Sequence, residues 1–393
     1  MNKRTTRLAI GGLLAMTLLA AACGSDSKDE ATTTAAAATT AGEATTAGAA
    51  TTTEGKATTT AGNATTTAGG GSESTTAPDK VEGTLQGSGS TFQLAFQQEA
   101  IDAFQKANKG VTITYGGGGS GKGRTDLKDG TVDFAGSDSA FPDADKPADQ
   151  VLYFPILLGP ITVSYNLDGV EDLQLSPDTI AKIFQRQITK WDDAAIAADN
   201  PGVTLPSTDI SVAHRSDGSG TTQNFTTWLQ KAAPSTWTLA PGSTVEWPAD
   251  TLAGNGNAGV AQIIKDTKGA IGYIDLSDAV ASGLSFAKVE NQSGEFVEPT
   301  AEAASAAGDG VEVPDDLVFS ALNSTAAEAY PITYQSWVIV FAKQKDAAHA
   351  ALVKAYLKYL LTDGQDLLGD LDYAPLPASI QTKAVAQLDQ ITS

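Results

Sequence analysis

The chain changes character near residue 80, and that break decides where a fold can form. Residues 24–78 are almost wholly Ala, Thr, Gly and Ser, with near-repeats such as Ala57-Thr58-Thr59-Thr60-Ala61-Gly62 and Ala64-Thr65-Thr66-Thr67-Ala68-Gly69. No aromatic or large aliphatic side chain occurs among them. Such a stretch buries too little apolar surface to offset its ordering entropy, so it reads as a disordered tether. A flexible coil of that length spans about 40 Å r.m.s.. The fold must come from residues 82–393, which carry all five Trp. That is roughly 310 residues, a length that suits two domains or lobes.

Residues 1–23 have the layout of an export signal. Met1–Arg7 is basic, and Leu8–Ala22 is an apolar run too short for a comfortable membrane span. The run ends in Leu19-Ala20-Ala21-Ala22-Cys23-Gly24, and Cys23 is the sole cysteine. This resembles a bacterial lipobox, in which the Cys becomes the lipidated first residue of the mature chain. Ala20 departs from the motif, which usually has Leu there. The alternative is a plain signal peptide that ends near a cysteine. Lipid on Cys23 would hold the protein on the outer face of a membrane. The tether would then lift the folded part into a thick cell wall.

Composition removes several functions. There are 25 Lys+Arg against 46 Asp+Glu, for a net charge of −21, and three of the bases (Lys3, Arg4, Arg7) lie in the leader. So acidic a surface argues against nucleic acid or an anionic membrane surface as partner. One Cys and two His leave no material for Cys/His zinc sites, iron–sulfur clusters or a disulfide scaffold. No metal or cofactor is expected.

The folded part alternates strands and helices in the manner of an α/β protein. Strands are expected at Thr84–Gly87, Val111–Tyr115, Thr131–Ala135, Ser211–His214, Gly269–Ile274 and Trp337–Phe341. A longer β-rich run, Tyr153–Tyr165, is interrupted by Gly159-Pro160. Helices are expected at about 91–107, 123–128, 221–232, 346–361 and 380–391, from apolar spacing. His349 falls on the Ala-rich 346–361 helix and reads as a surface residue.

Three loops share one design: Gly87-Ser88-Gly89-Ser90-Thr91-Phe92, Gly116–Gly121, and Asp217-Gly218-Ser219-Gly220-Thr221-Thr222. Each follows a strand, and two of them open helices. Gly permits the tight backbone path, Ser and Thr supply hydroxyls, and a helix start supplies unpaired N–H groups. Together they describe an anion site that needs little net positive charge. Any one of them alone reads more simply as a capped helix start. None carries the Gly-Lys-Ser/Thr of a P-loop or a full dinucleotide fingerprint, which speaks against an NTPase or a dehydrogenase.

Over essentially all of residues 82–393 the chain resembles the periplasmic-type phosphate-binding proteins, the extracytoplasmic receptors of the high-affinity phosphate ABC importer. The segments that carry the likeness include Gly-Ser-Gly-Ser-Thr-Phe (87–92), Tyr-Gly-Gly-Gly-Gly-Ser-Gly (115–121), Val-Asp-Phe-Ala-Gly-Ser-Asp (132–138) and Ile-Thr-Lys-Trp-Asp-Asp (188–193). Others are Arg-Ser-Asp-Gly-Ser-Gly-Thr-Thr (215–222), Gly-Ser-Thr-Val-Glu-Trp-Pro (242–248), Gly-Ala-Ile-Gly-Tyr (269–273), Tyr-Pro-Ile-Thr (330–333) and Leu-Asp-Tyr-Ala-Pro-Leu-Pro (371–377). The tether is not part of that binding module.

The resemblance implies a two-lobed α/β fold of the type II periplasmic-binding-protein class, each lobe a mixed, mostly parallel sheet flanked by helices. Lobe I would combine 82–163 with 334–393, lobe II would be 164–333, and the chain would cross twice between them. It implies a monomeric receptor, not an enzyme, that binds inorganic phosphate and docks on an ABC permease. The implied ligand contacts are Thr91, Phe92, Ser120, Asp138, Arg215, Ser219, Gly220 and Thr221, with Asp217 as the salt-bridge partner of Arg215. The fit of Asp138 has a physical reason. A carboxylate only accepts hydrogen bonds. It can take a proton from a phosphate that still carries one, while sulfate carries none, so the same group selects for one anion and against the other. The simpler alternatives are a helix N-cap for Asp138 and a surface ion pair for Arg215 with Asp217. His214, next to Arg215, has no binding role and reads as partly buried and structural.

Overall fold

The computed structural model describes residues 80–393. The leader, Cys23 and the tether lie outside the described residues. The first half of the fold opens with β1 (Gly83–Gly89), α1 (Leu94–Ala107), β2 (Val111–Gly116), α2 (Ser120–Lys128) and β3 (Phe134–Ser137). A long strand, β4 (Val151–Tyr165), leads into the second half. There the order is β5 (Gln174–Leu175), α3 (Pro177–Phe184), α4 (Ala194–Asp199), β6 (Ser211–Arg215), α5 (Gly220–Ala232), β7 (Leu252–Gly254) and α6 (Gly256–Asp266). It continues through β8 (Ala270–Asp275), α7 (Leu276–Ser282), β9 (Ser285–Phe286), β10 (Lys288–Glu290), β11 (Phe296–Val297) and α8 (Ala301–Gly308). The chain then returns along β12 (Thr333–Phe341) and closes with α9 (Ala347–Leu361) and α10 (Ala378–Gln387).

Eight strands run side by side in the order β2-β1-β3-β12-β4-β8-β6-β7, with β9 paired to β4. Pairing is parallel within each half (β1 with β2 and β3; β6 with β7 and β8) and antiparallel where β3, β12, β4 and β8 meet. All fifteen residues of β4 are buried. Its first part pairs with β12 as far as Pro160, and from Ile161 onward it pairs with β8. Gly159-Pro160 therefore does not break the strand. Proline lacks a donor, and Pro160 stands at the end of the β12 ladder, where the partner changes. The neighbouring donors are satisfied, Leu158 N by Ala374 O (3.0 Å) and Ile161 N by Ile332 O (2.9 Å). The result is a mixed two-lobed α/β fold of the periplasmic-binding-protein type.

Several elements differ at their ends from the sequence expectation. Helix α1 starts at Leu94, not Thr91, because Ser90 Oγ accepts from Phe92 N (3.1 Å) and Leu94 N reaches Thr91 O, holding a turn ahead of the helix. Strand β3 starts at Phe134, not Thr131. The C-terminal turn of α2 still holds that stretch, with Thr131 N bonded to Asp126 O (2.9 Å). Helix α2 starts at Ser120, inside the second Gly/Ser loop, so all three such loops lead into helices rather than two. His349 is not a surface residue: it is 8% exposed and its Nε2 lies 3.0 Å from Asp133 Oδ1.

Candidate anion-binding site

The three loops converge where the two halves face each other. From the first half, β1 delivers Ser90–Phe92. Phe92 is fully buried, its ring against Tyr334 and Tyr373, and its carbonyl accepts from Tyr373 OH (2.5 Å). That packing fixes the backbone of Thr91 and Phe92 at the lip of α1. Four glycines then let the chain double back before α2. Gly118 and Gly119 take φ of 126° and 89°, and Gly119 N bonds Gly89 O (2.9 Å), tying the second loop to the first. From the second half, β6 ends on Arg215 and the chain turns through Asp217–Ser219 into α5. Ser219 caps that helix, its Oγ accepting from Thr222 N (3.0 Å). The first-turn N–H groups at Gly220 and Thr221 have no intrahelical acceptor by geometry.

Asp138 sits at the centre. It is 2% exposed and no helix begins behind it, so it is not an N-cap. Ser90 Oγ donates to both its oxygens (2.6 and 2.8 Å), Ser336 Oγ donates to Oδ1 (2.6 Å), and Ser120 Oγ donates to Oδ2 (3.1 Å). Burial raises its pKa above the ordinary value, against the pull of these three serines and of the Arg215 charge. Across from it, Arg215 is 4% exposed. Its Nε and Nη2 grip Asp217 Oδ1 and Oδ2 at 2.8 and 2.5 Å, and its Nη1 donates to Asn257 Oδ1 (2.7 Å) and weakly to Thr221 Oγ1 (3.4 Å). This pair is buried rather than on the surface. Burial of Asp217 works to raise its pKa, but the hydrogen bonds and charge of Arg215 outweigh it and hold the carboxyl below its usual range.

The halves are shut on each other. Gly121 N donates to Gly218 O (2.8 Å), Asn224 Nδ2 to Asp138 O (2.7 Å), and Asn257 N reaches Thr91 Oγ1 (3.4 Å). Thr91, Phe92, Ser120, Ser219, Gly220 and Thr221 from the three loops, Asp138 from the end of β3 and Arg215 from the end of β6 thus come from two halves to one place, with Asp217 behind Arg215. The arrangement offers hydroxyls, helix-start N–H groups and one guanidinium as donors, and a single carboxylate as acceptor. That suits a small tetrahedral oxyanion that carries a proton. His214 lies aside: its Nε2 pairs with Thr251 Oγ1 (3.0 Å) and its ring stacks on Trp247. Among the described residues no group of three or more His, Cys, Asp or Glu is placed to hold a metal ion.

Comparison with known proteins places the chain in a family. Residues 33–364 match the pattern of a PBP superfamily domain. A phosphate-binding protein PstS of Xylella fastidiosa is 34% identical over 317 residues, 78% of this chain and 86% of that one. The phosphate-binding protein PstS 3 of Mycobacterium leprae is 35% identical over 314 residues, 76% of this chain and 85% of that one. This chain belongs to the phosphate-binding protein family. A solved high-affinity periplasmic phosphate-binding protein, bound with phosphate, shares the fold with a TM-score of 0.66 over 78% of this chain and 94% of its own, at 22% identity.

Around this family's loops the structure adds residues that sequence reasoning passed over. Ser90 lay inside a singled-out loop, and its place ahead of Thr91 was the available signal. Ser336 comes from β12, 198 residues away from Asp138, with nothing local to mark it. Gln93 Nε2 donates to Ser336 Oγ (2.7 Å), Gln97 Nε2 to Gln93 Oε1 (2.8 Å), and Tyr356 OH to Gln97 Oε1 (2.6 Å). A buried polar chain therefore runs from α9 to Asp138. Asn257 and Asp275 form a similar chain behind Arg215.

Proposed function

We propose that this protein binds inorganic phosphate between its two lobes and presents the closed form to an ABC permease for import. The observation that carries the reading is Asp138: a buried carboxylate, already supplied with three serine donors, standing as the one acceptor among donors. A protonated oxyanion can satisfy it, and a proton-free one leaves two buried negative charges face to face. Thr91, Ser219, Gly220, Thr221 and Arg215 supply donors, and the Phe92 N–H and the Ser120 hydroxyl join them by leaving Ser90 Oγ and Asp138 Oδ2, their partners in this structure. The printed names of the relatives, phosphate-binding protein PstS, support phosphate as the ligand.

The lobes are taken as 82–163 with 334–393, and 164–333, with the first crossing where β4 changes partner from β12 to β8 at Pro160–Ile161 and the second near the start of β12. Cys23 carries lipid and anchors a monomer on the extracytoplasmic face of the membrane, with residues 24–81 as the tether through the cell wall. The protein is a receptor and not an enzyme. Neither histidine faces the site as a base, since His214 serves Thr251 and Trp247 and His349 serves Asp133. Calorimetric titration with phosphate, sulfate and arsenate tests the reading. Saturable heat with phosphate and none with sulfate is expected. No heat with phosphate at micromolar protein overturns it, as does sustained turnover of a chromogenic phosphate ester that survives purification.

A further inference from the structure

Arg215 does not hold its direction by Asp217 alone. Its Nη1 donates to Asn257 Oδ1 at 2.7 Å, and Asn257 Nδ2 in turn donates to Asp275. The other oxygen of Asp275 accepts from Asp278 N at 2.9 Å and caps α7. Asn257 is fully buried and Asp275 is 1% exposed. No solvent is at hand to repair a broken link.

The chemistry of the three groups fixes their order. A guanidinium only donates. Asn257 must therefore turn its oxygen to Arg215, which leaves its –NH2 pointing at Asp275. Asp275 must accept at both oxygens, one from Asn257 and one from Asp278 N. We propose that Asn257 and Asp275 are positioning residues that aim the Arg215 fork at the ligand, so that the affinity for phosphate depends on the hydrogen-bond polarity of a carboxylate that never touches it. The inference rests on the phosphate-binding reading of the site.

An exchange of polarity makes it testable. In Asp275→Asn one acceptor becomes a donor. If the remaining oxygen keeps the α7 cap, the new –NH2 meets the –NH2 of Asn257. Asn257 must then turn over and present a donor to the Arg215 donor. In the double variant Asn257→Asp with Asp275→Asn every bond is remade with the same geometry. Asp at 257 accepts from Arg215 and from the amide at 275, whose oxygen still caps α7. The double variant also keeps the number of carboxyl groups.

The experiment is phosphate titration of the full chain for wild type, Asp275→Asn and the double variant, with a thermal melt of each. Asp275→Asn is expected to weaken phosphate binding about 10- to 100-fold, the scale of a lost hydrogen bond to a charged group. The double variant is expected to recover about 5-fold or more of that loss, since only polarity and not shape has been restored. A purely structural role for Asp275 would lower the melting temperature and the affinity together and restore them together, whereas positioning lowers phosphate affinity while the melting temperature without phosphate changes little. If wild type binds phosphate and Asp275→Asn binds it equally well, the inference falls and the reading of the site stands. A double variant that binds phosphate no better than Asp275→Asn also overturns the inference. If wild type binds no phosphate, the reading of the site fails and takes the inference with it.

Discussion

A Cβ on Gly220 would lie 2.6 Å from the Cβ of Asp138 and 2.4 Å from Ser120 Oγ. Gly220 belongs to one half of the fold and Asp138 to the other, so the shut state is possible only because Gly220 has no side chain. Its backbone is in the ordinary helical region, and an alanine there strains nothing until the halves approach. Gly220→Ala should therefore weaken phosphate binding about 10- to 100-fold, the range of overpacking a close contact. The melting temperature without phosphate should change little, while the upward shift that phosphate produces should shrink. Titration and thermal melts with and without phosphate check both.

Asp138→Asn replaces an acceptor-only group by one that can also donate. Discrimination against a fully deprotonated oxyanion should then fall, with the ratio of phosphate to sulfate affinity dropping about 100-fold or more. Paired titrations with the two anions near neutral pH read this directly. Unchanged discrimination would refute the account of specificity given for Asp138.

The Arg215–Asp217 pair sets an acid limit on stability. Asp217 has a folded-state pKa below its unfolded value of about 3.9. Its contribution is fully present above that value and is lost as pH falls through the lower folded-state pKa. Asp217→Asn should lower stability at neutral pH by about 1–3 kcal/mol, the cost of weakening charged hydrogen bonds to a buried Arg. The loss of stability below about pH 4 should become shallower than in wild type. Urea unfolding across the acid range measures it.

His349 gives a second, separate pH dependence. Burial pushes its pKa below the ordinary value, although Asp133 at 3.0 Å pulls the other way. The unfolded chain therefore binds the proton more readily. The stability that the neutral imidazole contributes is present above about pH 6.5 and declines as pH falls from there through the folded-state value. In His349→Gln this slope should flatten, and phosphate affinity at neutral pH should stay as in wild type, because the His349–Asp133 pair joins α9 to the segment before β3 and does not reach the ligand loops. Denaturation midpoints at a series of pH values, beside one titration, check this.

How much was legible in the sequence follows from range. The Gly/Ser/Thr loops were readable because in each of them backbone freedom, hydroxyls and a helix start coincide within a few neighbouring residues. Arg215 and Asp217 were readable as a pair for the same reason. Ser336 was not, since a lone serine in a β-branched and aromatic strand has no local signature, and only the β12–β3 pairing brings it to Asp138. Asn257 and Asp275 were hidden likewise, one at a helix start and one as an ordinary cap. The burial of His349 was missed because its Ala-rich neighbours look the same on a packed face and an open one. Gly159-Pro160 misled because a proline at the end of a ladder is spelled like a proline that breaks a strand.

Strand β4 has a consequence for how the molecule comes apart. One continuous buried segment supplies an inner neighbour to β12 on one side of Pro160 and to β8 on the other. Neither lobe can lose its central strand without pulling on the strand at the heart of the other. The two halves that β4 threads are therefore expected to unfold as one cooperative unit.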